Sequence, residues 1–410
     1  MRWNDLYIVG TGAALPARMP AERAVRQGLY PRQWWEQSGM RSACVADDGQ
    51  SALNLSVSAA RRALAQSGHR PAEIGLLLHS SVLSMRPEMW SPASALQKTL
   101  GASGAFACEV RAMCDGGMAS LDLAAPYLTV RAPGPLALLT AGEVWPRNRI
   151  NRWAYPSAVF ADGAAAVLLS RTGGFARILA TSSATDPELE GLSRGNQQPA
   201  SGSSEAEAWI DPDHRAREFM AAFGRDQAVD RITRGAARAA HDALADAGTT
   251  IADIDRIIAA HLCHDQLLAL LADVCPGTGL ERTTWELGRT IGHLGPADQF
   301  ADFDRLVRTH TLEPGQRALA LGVGQGFVWN CAVIEILHRP RRRPERRPTG
   351  NRTTVQPCAR TSPERYRRGR RPSGGTGAGG TLVAGNDHAD RLCGTVGSAP
   401  PRAAARRRSP

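Results

Sequence analysis

Residues 59–74 and 239–254 carry the same segment twice, 180 positions apart. Ala59, Ala60, Ala63, Leu64, Ala65, Gly68, Ala72 and Ile74 match Ala239, Ala240, Ala243, Leu244, Ala245, Gly248, Ala252 and Ile254. Each copy reads as an Ala-rich helix, a Gly stop, a short turn and an apolar run. Alanine richness alone produces chance matches, but it does not put the glycine and the isoleucine in register. The chain therefore reads as two related halves, and a duplicated fold tends to place its chemistry where the halves meet.

Charge divides the chain differently from length. From Arg339 to Pro410 there are 18 Arg, no Lys and four acids (Glu345, Glu364, Asp387, Asp390), a net +14. The whole chain carries +10, so residues 1–338 carry −4 and the basic character belongs to the tail. The tail is rich in Arg, Pro and Gly and poor in large apolar residues, so residues 339–410 are expected to be disordered. Runs such as Arg341-Arg342-Arg343 and Arg406-Arg407-Arg408 suit an anionic partner, but Tyr366 is a lone aromatic and nucleic-acid binding is not the expected role. The preferred reading is a non-functional extension. The eight Cys residues include no CxxC pair, which suits free thiols in a reducing, cytoplasmic compartment. Neither a long apolar span nor a signal-peptide pattern points to a membrane.

Along the chain, Leu6–Gly12 reads as a buried strand, Ala52–Ser67 as a helix and Ile74–Ser80 as a strand. Further expected elements are helix Ser91–Leu100, strand Ala105–Val110, helix Met118–Val130, and strands Leu136–Ala141 and Ala164–Leu169. A polar stretch near Gly191–Glu205 resembles an insertion between halves. Beyond it come a long helix to Ala247, strand Ile254–Ala260, helix His264–Val274, strand Thr283–Glu286, helix Pro296–Thr309, and strands Ala318–Val323 and Phe327–Ile336. Strands alternating with helices predict a layered α/β fold.

Cys114 is the leading candidate for chemistry. It follows a short apolar strand and precedes Gly116, Gly117 and a helix. A thiol at a helix N-terminus feels the positive end of the dipole, which favours thiolate, and the glycines allow close approach of a substrate or the other half. His293, in Gly292-His293-Leu294-Gly295-Pro296, lies 45 residues after Gly248, as Cys114 lies 46 after Gly68. A pseudo-twofold relation could bring the two together, with His293 as a base. His261 ends a buried-strand pattern, a common place for active residues, and His264 and Asp265 follow as secondary candidates. His261-x-x-His264 without a third ligand cluster is a poor metal signature. Gly322-Val323-Gly324-Gln325-Gly326-Phe327 lies between strands with no following helix, so it suits a loop offering amides to an oxyanion better than a phosphate loop. Asp162-Gly163 reads as a structural turn.

Taken together these residues resemble the ketoacyl-ACP synthase III family of the thiolase superfamily, over roughly residues 5–337. The resemblance implies a five-layered αβαβα fold from two duplicated halves, here 1–172 and 173–338, and a homodimer. Cys114 matches the family nucleophile. Phe160-Ala161-Asp162-Gly163-Ala164 is similar to the family's Phe-Gly-Asp-Gly-Ala, and Gly324-Gln325-Gly326-Phe327-Val328-Trp329 to its Gly-Gly-Gly-Phe-Thr-Trp. The amides of Cys114 and Gln325 would then form the oxyanion hole. Condensing members use Cys-His-Asn. The His corresponds to His261, but the Asn of the Gly-Asn pair is replaced by His293. An Asn amide is no base near neutral pH, whereas an imidazole is.

That exchange implies the acyltransferase branch of the family, found in polyketide and antibiotic pathways. Acyl groups, often aryl acids, would pass from a carrier-protein thioester through acyl-Cys114 to a hydroxyl, amine or thiol acceptor, with His261 assisting His293. Gln37, before Gly39, stands where CoA-primed members carry an Arg, which implies an acyl-carrier-protein donor. Arg147, Arg149 and Arg152 would meet that acidic partner. No resident cofactor is implied; the phosphopantetheine arm, or CoA, belongs to the substrate. Met85, Met89, Trp90 and Met118 are candidates for an acyl tunnel or for plain core. A priming synthase performing decarboxylative condensation and a non-catalytic partner subunit remain as alternatives.

Overall fold

The computed structural model describes residues 1–340 except 84, 86, 88, 132, 133, 198–208 and 278. The Arg-rich tail beyond Pro340 lies outside the described residues, which belong to one compact unit. The first half supplies β1 (Tyr7–Ala14), α1 (Ala52–Ser67), β2 (Ile74–Ser80), α2 (Pro92–Leu100), β3 (Phe106–Glu109), α3 (Gly116–Thr129), β4 (Leu136–Glu143) and β5 (Gly163–Ser170). The second supplies β6 (Ala176–Thr185), α4 (Arg225–Ala247), β7 (Arg256–Ile258), α5 (His264–Leu271), α6 (Trp285–Ile291), α7 (Asp298–Arg308), β8 (Arg317–Leu321) and β9 (Val328–Ile336).

The repeated segment has one local structure in both copies. α1 and α4 each stop at a glycine in the left-handed region, Gly68 at φ 77° and Gly248 at φ 66°. Only glycine adopts that cap without a Cβ penalty, which is why the glycines stay in register. A 3-10 turn follows each, Pro71–Glu73 and Ile251–Asp253. Its carboxylate accepts from the amide that precedes the turn, Arg70 to Glu73 at 2.9 Å and Thr250 to Asp253 at 3.0 Å. The repeat is thus a helix-stop-turn-strand unit whose sequence marks are capping residues.

Strand order extends the duplication. The hydrogen-bonded order is β3-β2-β4-β5-β1-β6-β9-β8-β7, so β1-β5-β4-β2-β3 runs out from the centre on one side and β6-β9-β8-β7 on the other. β2 pairs in parallel with β3 and β4, as β7 does with β8, and the inner pairs are antiparallel in both sets. The two sets join through Tyr7↔Arg177 and Ile8↔Ala176. α1 and α2 cover the outer face of the first set, α4 covers the second, and α3 and α7 lie between the sets. This is the thiolase-like αβαβα layering.

Two expectations need correction. The counterpart of β3 in the second half was expected as a strand over Thr283–Glu286. Only Thr283 pairs, in a single bridge to Ile257. Its hydroxyl accepts from the Trp285 amide at 3.1 Å, and the chain turns at once into α6. Residues 198–205 of the polar stretch near Gly191–Glu205 lie outside the described residues; residues 191–197 follow β6, which pairs with β9, so the stretch begins inside the second half and not between the halves. Among the described residues no helix is long and apolar enough to cross a membrane.

The central helices meet at glycine. A Cβ on Gly117 would lie 2.3 Å from the Pro296 carbonyl oxygen, just before α7. Gly117→Ala should therefore lower stability by about 1–3 kcal/mol through overpacking. Gly104→Ala, where nothing lies within 4 Å, should be close to neutral. Urea unfolding midpoints compare the two directly, and an unchanged midpoint for Gly117→Ala would contradict the close approach.

Candidate active site

Cys114 sits in the 3-10 turn Met113–Asp115 that opens α3, half-buried at the inner end of the helix. Met113 holds a positive φ of 50°, costly for a residue with a side chain. The turn presents Cys114 at the positive end of α3. His293 occupies the matching place in the second half, in the loop before the 3-10 turn Gly295–Ala297 and α7. That loop is tied to the first half by His293 N–H to Val159 O and Ala161 N–H to His293 O, both 2.7 Å. Gly292, at φ 82°, makes the tie possible, since a Cβ there would lie 2.8 Å from the Ala161 methyl.

A buried carboxylate organises the two imidazoles. Asp298 Oδ2 accepts from His293 Nδ1 at 2.6 Å and from the His261 amide at 2.8 Å. Its Oδ1 accepts from the Leu294 amide at 2.7 Å. With Nδ1 donating to Asp298, the Nε2 atom of His293 is left for Cys114, with which the ring makes a side-chain hydrogen bond. The three residues thus stand in line as thiol, imidazole and carboxylate, an arrangement that can serve as nucleophile, base and orienting group.

His261 is placed differently from expectation. Its Nδ1 donates to the Gly292 carbonyl at 2.8 Å, with Asp298 Oδ1 at 3.2 Å, and its Nε2 meets Asp302 Oδ2 at 2.9 Å. α6 closes over the ring, for a Cβ on Gly288 would lie 2.8 Å from it. Both nitrogens are committed to protein groups, so His261 has no free nitrogen for a substrate. It serves as a buried counter-charge behind Asp298.

The electrostatics follow from this packing. Burial disfavours the charged form of His261, but Asp298 and Asp302 outweigh it and lift the ring to about 9. Burial works against His293 too, and is outweighed by Asp298 and Cys114, which hold it well above 6.5. Burial would raise Asp298, yet the two imidazoles and their hydrogen bonds keep it below the ordinary carboxylate value. Asp302 is raised by burial, with His261 pulling against it.

The glycine-rich loop lies against the nucleophile. A Cβ on Gly324 would meet the Ala112 carbonyl at 2.3 Å, and Gly322 abuts the Asp115 carboxyl. Gln325 is therefore carried to the Cys114 turn, as an oxyanion role for its amide requires. Cys114 packs against a small apolar cluster of Val82, Trp145, Ile150 and Phe160, as do Leu83, Met113, Tyr155 and Ile210. The Phe160 ring stacks on Trp145 and Tyr155 and tilts towards His293, with centroids 6.0 Å apart.

Other predicted residues fall outside the cluster. His264 is half-buried at the start of α5, bonded to Asp265 at 2.8 Å and edge-on to Trp285. It does not converge with His261, and among the described residues no group of three or more His, Cys, Asp or Glu could hold a metal. Arg152 faces inward and not towards a partner, buried on Asp162 at 2.9 Å. Asp162 also accepts from the Ala46 and Trp145 amides, which fits its structural reading. Arg147 is exposed, Arg149 partly so, and Gln37 is exposed near the end of a short helix. Met85, Met89 and Trp90 line a cavity of about 240 Å³ together with Leu83, whereas Met118 is core. Asp298 and Asp302 went unnoticed in the sequence. Their signal is a pair of acids four apart, hence on one face of the helix, directly after the His293 turn.

The sequence and the fold have counterparts among known proteins. The 3-oxoacyl-[acyl-carrier-protein] synthase III C-terminal family profile matches residues 244–336. A beta-ketoacyl-[acyl-carrier-protein] synthase III of Bordetella petrii is 30% identical over 344 residues, covering 80% of this chain and 97% of the relative. One from Rhizorhabdus wittichii is 27% identical, covering 80% and 98%. Among solved structures, the acyltransferase ChlB3 superposes with a TM-score of 0.78 at 32% identity, covering 82% of this chain and 99% of that one. The chain belongs to the beta-ketoacyl-[acyl-carrier-protein] synthase III family. It is an enzyme of the synthase III-like acyltransferase type.

The state of His261 has a consequence for stability. A group whose folded pKa is raised to about 9 contributes stability that is fully present below about 6.5 and lost as pH rises through about 9. Wild-type stability should fall across that interval, and His261→Gln should flatten the fall. Denaturant titrations at pH 6 and pH 10 read the difference. An equal fall in both proteins would remove His261 as its source.

Proposed function

We propose that the protein is an acyltransferase that moves an acyl group from an acyl-carrier-protein thioester, through acyl-Cys114, to a hydroxyl, amine or thiol acceptor. The observation that carries this reading is the His293–Asp298 pair, buried and bonded at 2.6 Å, standing beside Cys114 where condensing relatives place an Asn. An imidazole oriented by a carboxylate is a base, which an amide is not. The state of His261 adds support. A condensing site needs a histidine nitrogen for the malonyl carbonyl, and both nitrogens of His261 are occupied.

The reaction follows in two halves. His293 takes the Cys114 thiol proton, and the thiolate attacks the donor carbonyl. The amides of Cys114 and Gln325 hold the oxyanion until the phosphopantetheine thiolate leaves, taking its proton from His293. Acylation then removes the charge and hydrogen bond that Cys114 offers His293, two of the causes that raise its pKa. The imidazole becomes neutral more readily and accepts the proton of the incoming O–H, N–H or S–H. That nucleophile attacks the acyl-Cys carbonyl, and expulsion of the Cys114 thiolate regenerates the nucleophile. The donor class is supported by the carrier-protein synthases among the relatives. A homodimer, an aryl polyketide acyl group and a role in antibiotic biosynthesis belong to the same proposal.

Incubation with an aryl-acyl carrier protein should add one acyl mass to the Cys114 peptide, and Cys114→Ala should abolish the adduct. His293→Ala should lower transfer to an acceptor by about 10²–10⁴-fold, as expected for loss of a general base. Asp298→Asn should lower it substantially by disturbing the tautomer, with loading less affected. Release of CO₂ with a ketoacyl product from malonyl carrier protein would sink the transferase reading. Absence of any Cys114 adduct would sink both transfer and condensation.

A further inference from the structure

We propose that Tyr155 and Gln325 form a polar subsite for an oxygen substituent, hydroxyl or carbonyl, on the acyl group carried by Cys114. The proposal rests on the acyl-enzyme reading above and specifies its substrate class. Besides His293, Cys114 meets an apolar cluster of Val82, Trp145, Ile150 and Phe160, against which Tyr155 also packs. Tyr155 brings a hydroxyl into that surface. A plain hydrocarbon acyl group has no use for such a group, and leaving it unpaired in an apolar site is unfavourable.

The hydrogen bonds around the hydroxyl have a direction. Ser193 Oγ donates to Gln325 Oε1 at 2.7 Å. That leaves the Gln325 Nε2 amide to donate to the Tyr155 oxygen at 3.2 Å. Ser157 makes a further side-chain hydrogen bond to the same oxygen. A phenol accepts with its lone pairs and donates one proton. The Gln325 bond occupies an acceptor site of the phenol, and the O–H proton can turn to an oxygen of the ligand. Burial lifts Tyr155 to about 12, so it remains a donor at working pH. Its ring is held by stacking on Phe160 at 5.5 Å, nearly parallel at 5°.

Position links the subsite to the reacting carbon. The Gln325 backbone amide is assigned to the oxyanion, and its side chain reaches Tyr155. The phenol therefore stands one side chain away from the thioester carbonyl, where an oxygen on a nearby carbon of the acyl group would arrive. The family motif has glycine where this chain has Gln325, so the amide that orients Tyr155 belongs to this sequence.

The test uses binding, so that it stands apart from acyl transfer. Stable pantetheine amides of 2-hydroxybenzoate and benzoate, and of 3-hydroxybutyrate and butyrate, are titrated calorimetrically into the full chain. In at least one pair the hydroxylated ligand should bind about three- to tenfold more tightly, the worth of one hydrogen bond. Tyr155→Phe should bring that ratio to about one, leaving the deoxy ligand's affinity unchanged within twofold. Gln325→Ala, which keeps the backbone amide, should reduce the ratio and serves if Tyr155→Phe fails to fold. No preference in either pair, no binding of any of the four, or a preference that survives Tyr155→Phe would overturn the subsite. Failure of Cys114 to become acylated would overturn the acyl-enzyme reading while the binding ratios still judge the subsite.

Discussion

One buried carboxylate determines what the junction of the two halves can do. Asp298 stands between two imidazoles and accepts three hydrogen bonds from His293, His261 and the Leu294 amide. Removing a charge from water costs several kcal/mol unless it is paired and bonded, so this arrangement persists only because every partner is in place. Its consequence is orientation. Nδ1 of His293 is held by the carboxylate, and the other face of the ring belongs to Cys114. Behind it His261 and Asp302 form a second pair, so the cluster holds two acids and two bases and can approach neutrality.

The fold supplies this cluster by repetition. Cys114 opens one central helix and the His293–Asp298 turn opens the other, and the two helices belong to matching places in the halves. Backbone contact across the junction is made where Gly117 lacks a Cβ, beside the Pro296 carbonyl. A side chain at Gly117 would separate the helices by pushing on the Pro296 carbonyl. The spacing of nucleophile and base is thus set by packing of backbone on backbone, the least compliant contact the chain can make.

Much of this was legible in the sequence, and the gaps have physical reasons. α1 and β2 end where the caps and apolar runs place them, Ala52–Ser67 and Ile74–Ser80, because capping glycines and uninterrupted apolar runs are local signals. β6 is not legible in the sequence, since its Ala, Ser and Thr residues form no apolar run and gain most of their burial from β9 and α4. Thr283–Glu286 reads as a strand by composition, yet one threonine hydroxyl turns it into a helix start. Cys114 and His293 carry local marks, glycines on one or both sides. Asp298 carries none of that kind. An acid at the start of a helix looks like an ordinary response to the dipole, and only the tertiary contact with two histidines distinguishes it. Arg152 misled for the converse reason: an Arg in a charged run reads as surface, while its partner Asp162 lies ten residues away across a turn.

The proposed choice of transfer over condensation rests on His293 standing where the family motif has Asn, and a buried imidazole there needs an acid beside it. An imidazole buried with no acid beside it would lose its proton affinity to desolvation, as His79 does in this same protein, lowered to about 4 with only Thr140 for a partner. Such a ring would take no proton from a thiol. Asp298 reverses the sign of the shift at His293. The two imidazoles, with His261 held charged by Asp298 and Asp302, then keep Asp298 ionised despite its burial. The base at 293, the acid at 298 and the fixed cation at 261 form one electrostatic unit. The histidine that faces substrate in condensing members is here turned inward to complete it.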